Sequence, residues 1–361
     1  MKLFHINNVI YFYMFICVAL LVFNVLYIIY SKQKTNRGKN LENKWLERLL
    51  PVWESVLEDG RVPMEHRKLL EKKLRNIDQM IAYHETVKRH LAEPGVQKYL
   101  DLNHDVFQNL ALYFSGRLPM EKAYFAHVIS IYHPDRGREH DRLEEILLGY
   151  MSDTTVYCRE NVLQALYAMG NMAAIEHAFF LLSDMELYHH PRLLSDGMMK
   201  FAGDKKALVR KLWVQRHRFS ESIQVAVVQF ASMISDEFAE DFLKELEDDH
   251  ALMEVRFSLI RYFGRYPSKE ALPFLLQCVR EERGERAGLA VAACTVLARY
   301  PGEQTIEVLM EALHSRDWYV RRNAASSLVR LGIPKEAEEK LKNSGDKYAV
   351  EMLDYMKGEM A

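Results

Sequence analysis

Only 26 of the 361 residues are glycine or proline, and only four are cysteine. So few breakers exclude a collagenous chain or a Pro/Gly-rich disordered one. Cys17, Cys158, Cys278 and Cys294 form no C-x-x-C pair, so neither a zinc spacing nor a disulfide framework is written in the chain. Cys17 lies in an apolar run. The other three sit in helical patterns, where cysteine acts as a small buried apolar residue. Acids are missing from positions 1–40, which carry Lys2, Lys32, Lys34, Arg37 and Lys39. The rest of the chain holds the other 43 of the 48 Lys and Arg and all 50 Asp and Glu, about −7. A body of that sign argues against general nucleic-acid binding, which rests on neutralising phosphates. No phosphate loop G-x-x-x-x-G-K-[ST], nucleophile elbow G-x-S-x-G or zinc motif H-E-x-x-H occurs.

One long hydrophobic run is present. Val9 to Tyr30 reads VIYFYMFICVALLVFNVLYIIY, with no charge and one amide, Asn24. As a helix it extends about 33 Å, enough for a hydrocarbon core of about 30 Å. Tyr11, Tyr13, Tyr27 and Tyr30 lie toward its ends, where interfacial aromatics belong. A cleaved signal peptide would have a shorter apolar region and small residues before the cut. Here the run ends Tyr-Ile-Ile-Tyr-Ser-Lys. A soluble core helix would not be apolar all round. The run therefore reads as an uncleaved single-pass anchor in a cell membrane. Lys32, Lys34, Arg37 and Lys39 follow it, so the positive-inside rule puts the body in the cytoplasm. The implied organisation is a short non-cytoplasmic tail (1–8), a transmembrane helix (9–30) contacting the lipid bilayer, a basic linker (31–40), a helical cap (41–103) and a repeat array (104–361).

The array shows as a period. Segments anchored at Cys158, Pro191, Ile223, Val255, Leu289 and Val320 follow one another at steps of 33, 32, 32, 34 and 31 in the numbering. Twelve positions after each anchor stand Gly170, Gly203, Ser235, Pro267, Pro301 and Gly332. Five of these six are breakers, far above their share of the chain, and they should end helices. The residues at +8 (Leu166, Met199, Ala231, Phe263, Leu297, Leu328) and at +11 (Met169, Ala202, Ile234, Tyr266, Tyr300, Leu331) point the same way on a helix. The Pro191 copy is the weakest, with Ser195 and Asp196 at mostly apolar positions. Another amphipathic segment precedes each such helix: Ile175–Leu182, Phe238–Leu246, Ala271–Val279 and Ile306–Leu313 are examples. The unit is a helix pair repeating every ~32 residues, within the range of helical solenoids. Residues 41–100 fall outside the period and read as two or three helices, Leu41–Leu57 and then Met64–Leu91, with breaks at Asp59-Gly60 and Pro94-Gly95. There Trp45, Leu49 and Trp53 share one face and predict core packing of an atypical terminal unit.

Val320-Arg321 and Ala324-Ala325, echoed by Val255-Arg256 and Cys158-Arg159, make the array resemble HEAT repeats, most closely the short bacterial PBS-lyase-like form. Pro273, inside a first helix, matches that family's habit of bending it. The resemblance covers roughly His140 to Ala361, with a degenerate copy near Asp105 whose second helix is Phe125–Ile131. It implies an all-α fold, a right-handed α-solenoid of helix pairs preceded by one transmembrane helix.

The resemblance also includes enzymes. Deoxyhypusine hydroxylases hold two irons with several His-Glu dyads; this chain has one, His84-Glu85, outside the array. Phycobilin lyases are soluble, and HEAT-like DNA glycosylases use a basic groove. The remaining histidine clusters are His189-His190 and the loop set His133, Asp135, His140 and Asp141, which reads as solvated charge. No catalytic residue, metal or cofactor is expected.

The arginines sort by helical angle. Arg159, Arg192, Arg256 and Arg321, at +1, lie about 100° round, at the edge of the core side, and should pair with acids such as Asp153, Asp249 and Asp317 in a structural ladder. Arg265, Arg299 and Arg330, at +10, point about 280° round, away from the core, with Arg261 on the same face. In a solenoid that face lines the concave surface. Arg261, Arg265, Arg299 and Arg330 are thus the candidate partner-binding strip. The expected function is a membrane-anchored cytoplasmic scaffold or adaptor for a protein partner, itself membrane-associated and part of a biosynthetic machine. The alternative is an enzyme or ligand-binding protein using the concave groove.

Overall fold

A computed structural model describes residues 2–132, 142–152, 155–281 and 287–360. Among these the regular structure is helical, with no strand. The chain forms two compact units, Met1–Ala174 and Ile175–Ala361.

The first unit is built on α1 (Lys2–Asp59), a single helix of 58 residues, about 87 Å long. It runs through the apolar segment, the basic residues 31–40 and Pro51 without a break. The segment read as a linker is therefore helix. From Ile10 to Tyr30 its large apolar side chains, such as Phe15, Leu21 and Phe23, are exposed. Beyond it Trp45, Leu49, Trp53 and Val56, spaced at i, i+4, i+8 and i+11, are buried. They pack on α3 (Ile77–Arg89) and α4 (Pro94–Leu102). The Trp45 ring lies 5.2 Å from Tyr83, and Trp53 lies 5.4 Å from His90. Gly95 lets α4 approach closely, since a Cβ there would stand 3.0 Å from the Trp53 carbonyl oxygen.

The span Met64–Leu91 holds two helices, α2 (Met64–Leu74) and α3, the three-helix form of the sequence reading. Asn76 divides them by accepting the Gln79 N–H at 3.1 Å as an N-cap. Two helix pairs complete the unit: α5 (His104–Ser115) with α6 (Pro119–Tyr132), and α7 (Arg142–Gly149) with α8 (Val156–Met169). The first helices α5 and α7 touch each other, as do the second helices α6 and α8. Gly170 closes α8 in the left-handed conformation, φ 77°, as its +12 position predicts.

The unit boundary falls within α9 (Met172–Asp184). In the second unit follow α10 (Pro191–Met198), α11 (Lys205–Val214), α12 (Glu221–Ile234), α13 (Ala239–Glu247), α14 (Met253–Arg265), α15 (Leu272–Arg280), α16 (Ala287–Val296), α17 (Glu303–Ala312), α18 (Trp318–Leu331), α19 (Lys335–Lys342) and α20 (Lys347–Met360). The odd-numbered members from α11 to α19 each pack against the next helix in sequence, and α10, α12, α14, α16, α18 and α20 stack one on the next. This is the two-layer arrangement of an α-solenoid.

The anchor columns account for its core. Ile223, Val255, Leu289 and Val320 are buried, as are Ala231, Phe263, Leu297 and Leu328. The Pro191 copy departs from the pattern. Its helix stops at Met198, well before Gly203, and Met198 and Phe201 fill the core instead. Gly197 within its last turn disfavours continuation. Pro273 is also placed differently from the reading above. It stands in the first turn of α15, after a 3-10 turn at Lys269–Ala271, where the missing N–H breaks no helical bond.

Candidate partner-binding face

The second helices α14, α16 and α18 lie side by side. Their register is set by close contacts. A Cβ on Gly264 would stand 2.9 Å from Val296, and one on Gly288 would stand 2.8 Å from Phe257. Ser327 donates its hydroxyl to the Cys294 carbonyl at 2.6 Å, and the Asn323 amide donates to the Val291 carbonyl at 3.1 Å. Tyrosines at +11 add bonds between repeats. Tyr266 donates to the Ser232 carbonyl at 3.1 Å and Tyr300 to the Phe263 carbonyl at 3.0 Å. These hydroxyls bond the preceding second helix.

Arg261, Arg265, Arg299 and Arg330 are all exposed in this register. None makes an ion pair with a described residue, and Arg265 lies over the ring of its neighbour Tyr266. Arg265 and Arg299 end their helical segments and Arg330 stands one residue before the end of α18. A cation there also complements the negative helix terminus, by about 0.3–1 kcal/mol at an exposed site.

Charge on these three second helices is one-sided. From Met253–Arg265, Ala287–Arg299 and Trp318–Leu331 come seven arginines (Arg256, Arg261, Arg265, Arg299, Arg321, Arg322 and Arg330) and one acid, Glu254. The first helix between α16 and α18, α17, carries Glu303, Glu307 and Glu311 and no base. The net acidity of the whole chain conceals this basic face.

A groove of about 450 Å³ opens on the same face, lined by Thr295, Arg322, Asn323, Ser326, Arg330 and Glu359 among others. Arg322 lies over the half-exposed Trp318 ring at 5.7 Å and stands 3.9 Å from Glu359. Sequence reasoning found Arg330 but missed Arg322, Thr295 and Ser326. The available signal was the +2 and +6 positions, which at about 200° and 240° lie opposite the core.

The inner arginines behave differently from a carboxylate ladder. Arg256 is buried, donates to the Asp248 carbonyl, and stands 3.7 Å from Asp249. Arg321 donates to the Ser315 carbonyl at 2.6 Å rather than to Asp317. Asp317 instead caps α18 by accepting from Tyr319 N at 2.7 Å and Val320 N at 3.2 Å. The two arginines thus pin the backbone of the loop that precedes their own helix. Arg192 is exposed and pairs within its helix with Asp196 at 3.1 Å. Arg159 is buried, and Asp153 lies outside the described residues.

The polar clusters of the first unit are structural in their contacts. His84 is buried and its Nδ1 stands 3.2 Å from the Tyr132 hydroxyl. Burial lowers its pKa to about 4, with further lowering from His127 and Lys88. In the second unit His190 caps α10 by accepting from Arg192 N at 3.2 Å. The His133, Asp135, His140 and Asp141 set lies outside the described residues. Among the described residues no group of three or more His, Cys, Asp and Glu converges as metal ligands.

Stacked helix pairs in two layers define a repeat protein of the α-solenoid class. Residues 285–343 match the family described as HEAT repeats, which supports a relationship to HEAT-repeat proteins. That stretch includes the whole of α16, α17, α18 and α19. No curated protein matches the chain.

Proposed function

We propose that this protein is a non-catalytic, membrane-anchored scaffold that holds a protein partner on the arginine face of α14, α16 and α18. The observation that carries the reading is the run of exposed arginines, Arg261, Arg265, Arg299 and Arg330, against one acid, Glu254, on three adjacent second helices of an otherwise acidic body. Positive faces attract acidic partner surfaces and speed their encounter. HEAT repeats as a class mediate protein–protein interaction, which agrees with it.

The anchor is the apolar part of α1, whose side chains from Ile10 to Tyr30 touch almost nothing in the protein. A core helix would bury such surface; a bilayer accounts for it. The basic residues after Tyr30 favour a cytoplasmic body. Tethering raises the effective concentration of the adaptor near a membrane-associated partner, such as a biosynthetic enzyme.

The test has two arms. Alkaline extraction should leave the full chain in the membrane fraction; release into the supernatant would overturn the anchor. Crosslinking in intact membranes should capture a reproducible partner with the wild type and lose it when Arg261, Arg265, Arg299 and Arg330 are all changed to Glu. Unchanged capture by a folded quadruple variant would overturn the arginine face.

A further inference from the structure

We propose that a groove between α1 and α3, just beyond the apolar segment, binds the headgroup of one anionic phospholipid that bears a free hydroxyl, as phosphatidylglycerol does. This rests on the anchor reading and adds to it a specific lipid site.

The site begins with a change along one stripe of α1. Tyr30, Lys34, Arg37, Leu41 and Trp45 stand at i, i+4, i+7, i+11 and i+15, within about 80° of the helix surface. At Trp45 the stripe is buried and meets Tyr83 of α3. Nearer the apolar segment it carries Arg37 and Lys34, both exposed. A groove of about 760 Å³ opens there, with Lys34, Arg37 and Gly38 on the α1 wall and Asp78 and Ile81 on the α3 wall. The positive-inside rule asks for cations after the span on any face. It does not account for two of them continuing the stripe that packs on the body.

The depth fits a headgroup. Tyr30 ends the apolar run and also lines the groove. Lys34 and Arg37 stand about 6 and 10.5 Å further along the helix axis. The polar layer of one leaflet is about 5–8 Å thick, and long basic side chains reach back toward it. A lipid phosphate at that level is within range of both cations.

The groove holds charge that the protein itself does not use. Lys34 and Arg37 form no ion pair with a described residue. Glu42, the first acid of the chain, is held by Arg89 at 2.7 Å, so its charge is already answered. Asp78 has no ion pair with a described residue either, and it narrows the ligand. The second negative charge of a phosphate monoester would meet this carboxylate. A phosphodiester with a terminal hydroxyl places its single charge on Lys34 and Arg37 and donates the hydroxyl to Asp78. Ile81, 41% exposed, gives the same wall apolar surface for the glycerol backbone.

Gly38 makes the room. Glycine inside a helix is less stable than alanine. Here it leaves the wall beside Arg37 bare, and a Cβ would meet no atom within 4 Å.

The test uses the full-length protein in neutral detergent with mixed micelles of phosphatidylglycerol and phosphatidylcholine, and counts retained lipid by native mass spectrometry. One phosphatidylglycerol per chain should be retained in preference to phosphatidylcholine. K34Q combined with R37Q should lower its retention on the order of tenfold or more, the worth of two cations at a membrane surface. G38L fills the groove without changing charge and favours the helix, and should lower retention too. K32Q removes an equal charge about 180° round the helix from Leu41 and should leave retention unchanged. An equal loss with K32Q would mean diffuse surface attraction and overturn the site while leaving the anchor standing. Equal retention of the two lipids by the wild type would overturn it as well. Tighter retention of phosphatidylethanolamine, whose ammonium would meet Asp78, would overturn the choice of an anionic lipid. Displacement of the lipid by soluble glycerophosphoglycerol would make the ligand a free phosphodiester and overturn the lipid. Release of the chain by alkaline extraction would overturn the anchor and the site together.

Discussion

The Ser327 hydroxyl reaches 2.6 Å to the Cys294 carbonyl on the neighbouring second helix, and Ser327 is buried at this contact. A buried side-chain bond of this kind is worth about 1 kcal/mol. Ser327→Ala should lower stability by about that amount, read as a shift in the midpoint of chemical denaturation. Ser327→Val should cost more, because two methyl groups replace one hydroxyl against the backbone of α16. A neutral Ser327→Ala would show that the contact does not help hold the two helices together.

Gly264 is the second determinant of that packing. In a helix Gly→Ala normally gains up to about 1 kcal/mol. Here the added Cβ would stand 2.9 Å from Val296 Cγ2, a branched side chain with little room to yield. Overpacking costs about 1–3 kcal/mol, so Gly264→Ala should destabilise on balance. The double variant Gly264→Ala, Val296→Ala should recover part of that strain, and a thermal melt of both would show it.

Trp45 locks α1 into the first unit, with 1% of its surface exposed and its ring edge-on to Tyr83. Trp45→Ala should cost about 3–5 kcal/mol. Because α1 is one helix from the apolar segment to Asp59, the loss should also appear as faster hydrogen exchange over residues 41–59. Exchange confined to residues 31–40 would mean that the body holds without this contact.

His84 makes stability pH-dependent. Its folded pKa, lowered to about 4 chiefly by burial, lies below the 6.5 of the unfolded chain. Between these values the unfolded state binds the extra proton, so stability is complete above pH 6.5 and declines as pH falls toward 4. The loss is at most about 3 kcal/mol. His66 and His127 are lowered as well, also mainly by burial, and add to the same slope. His84→Phe should flatten the fall in melting temperature between pH 6.5 and 4 without abolishing it. An unchanged slope would remove His84 from the account.

Much of the repeat array was legible in one dimension. The repeat period placed the second helices, and the breakers at +12 marked several of their ends, with Gly170 and Gly332 at φ 77° and 80°. The spacing of Trp45, Leu49 and Trp53 announced a buried face. These features are local: helical periodicity decides which side chains face inward, and the φ freedom of glycine decides where a helix can stop.

Other features depend on partners a full repeat away in the chain or on loop geometry, and only the tertiary structure decided them. The Pro191 copy ends early because Met198 and Phe201 fill the core its register assigns to later residues. Arg256 and Arg321 bond loop carbonyls, which a pattern of side-chain charges cannot reveal. The outward direction of Arg265, Arg299 and Arg330 was readable from helical angle alone. The relative height of the three helices that carry them came from Gly264, Val296, Cys294 and Ser327, because packing between helices sets it.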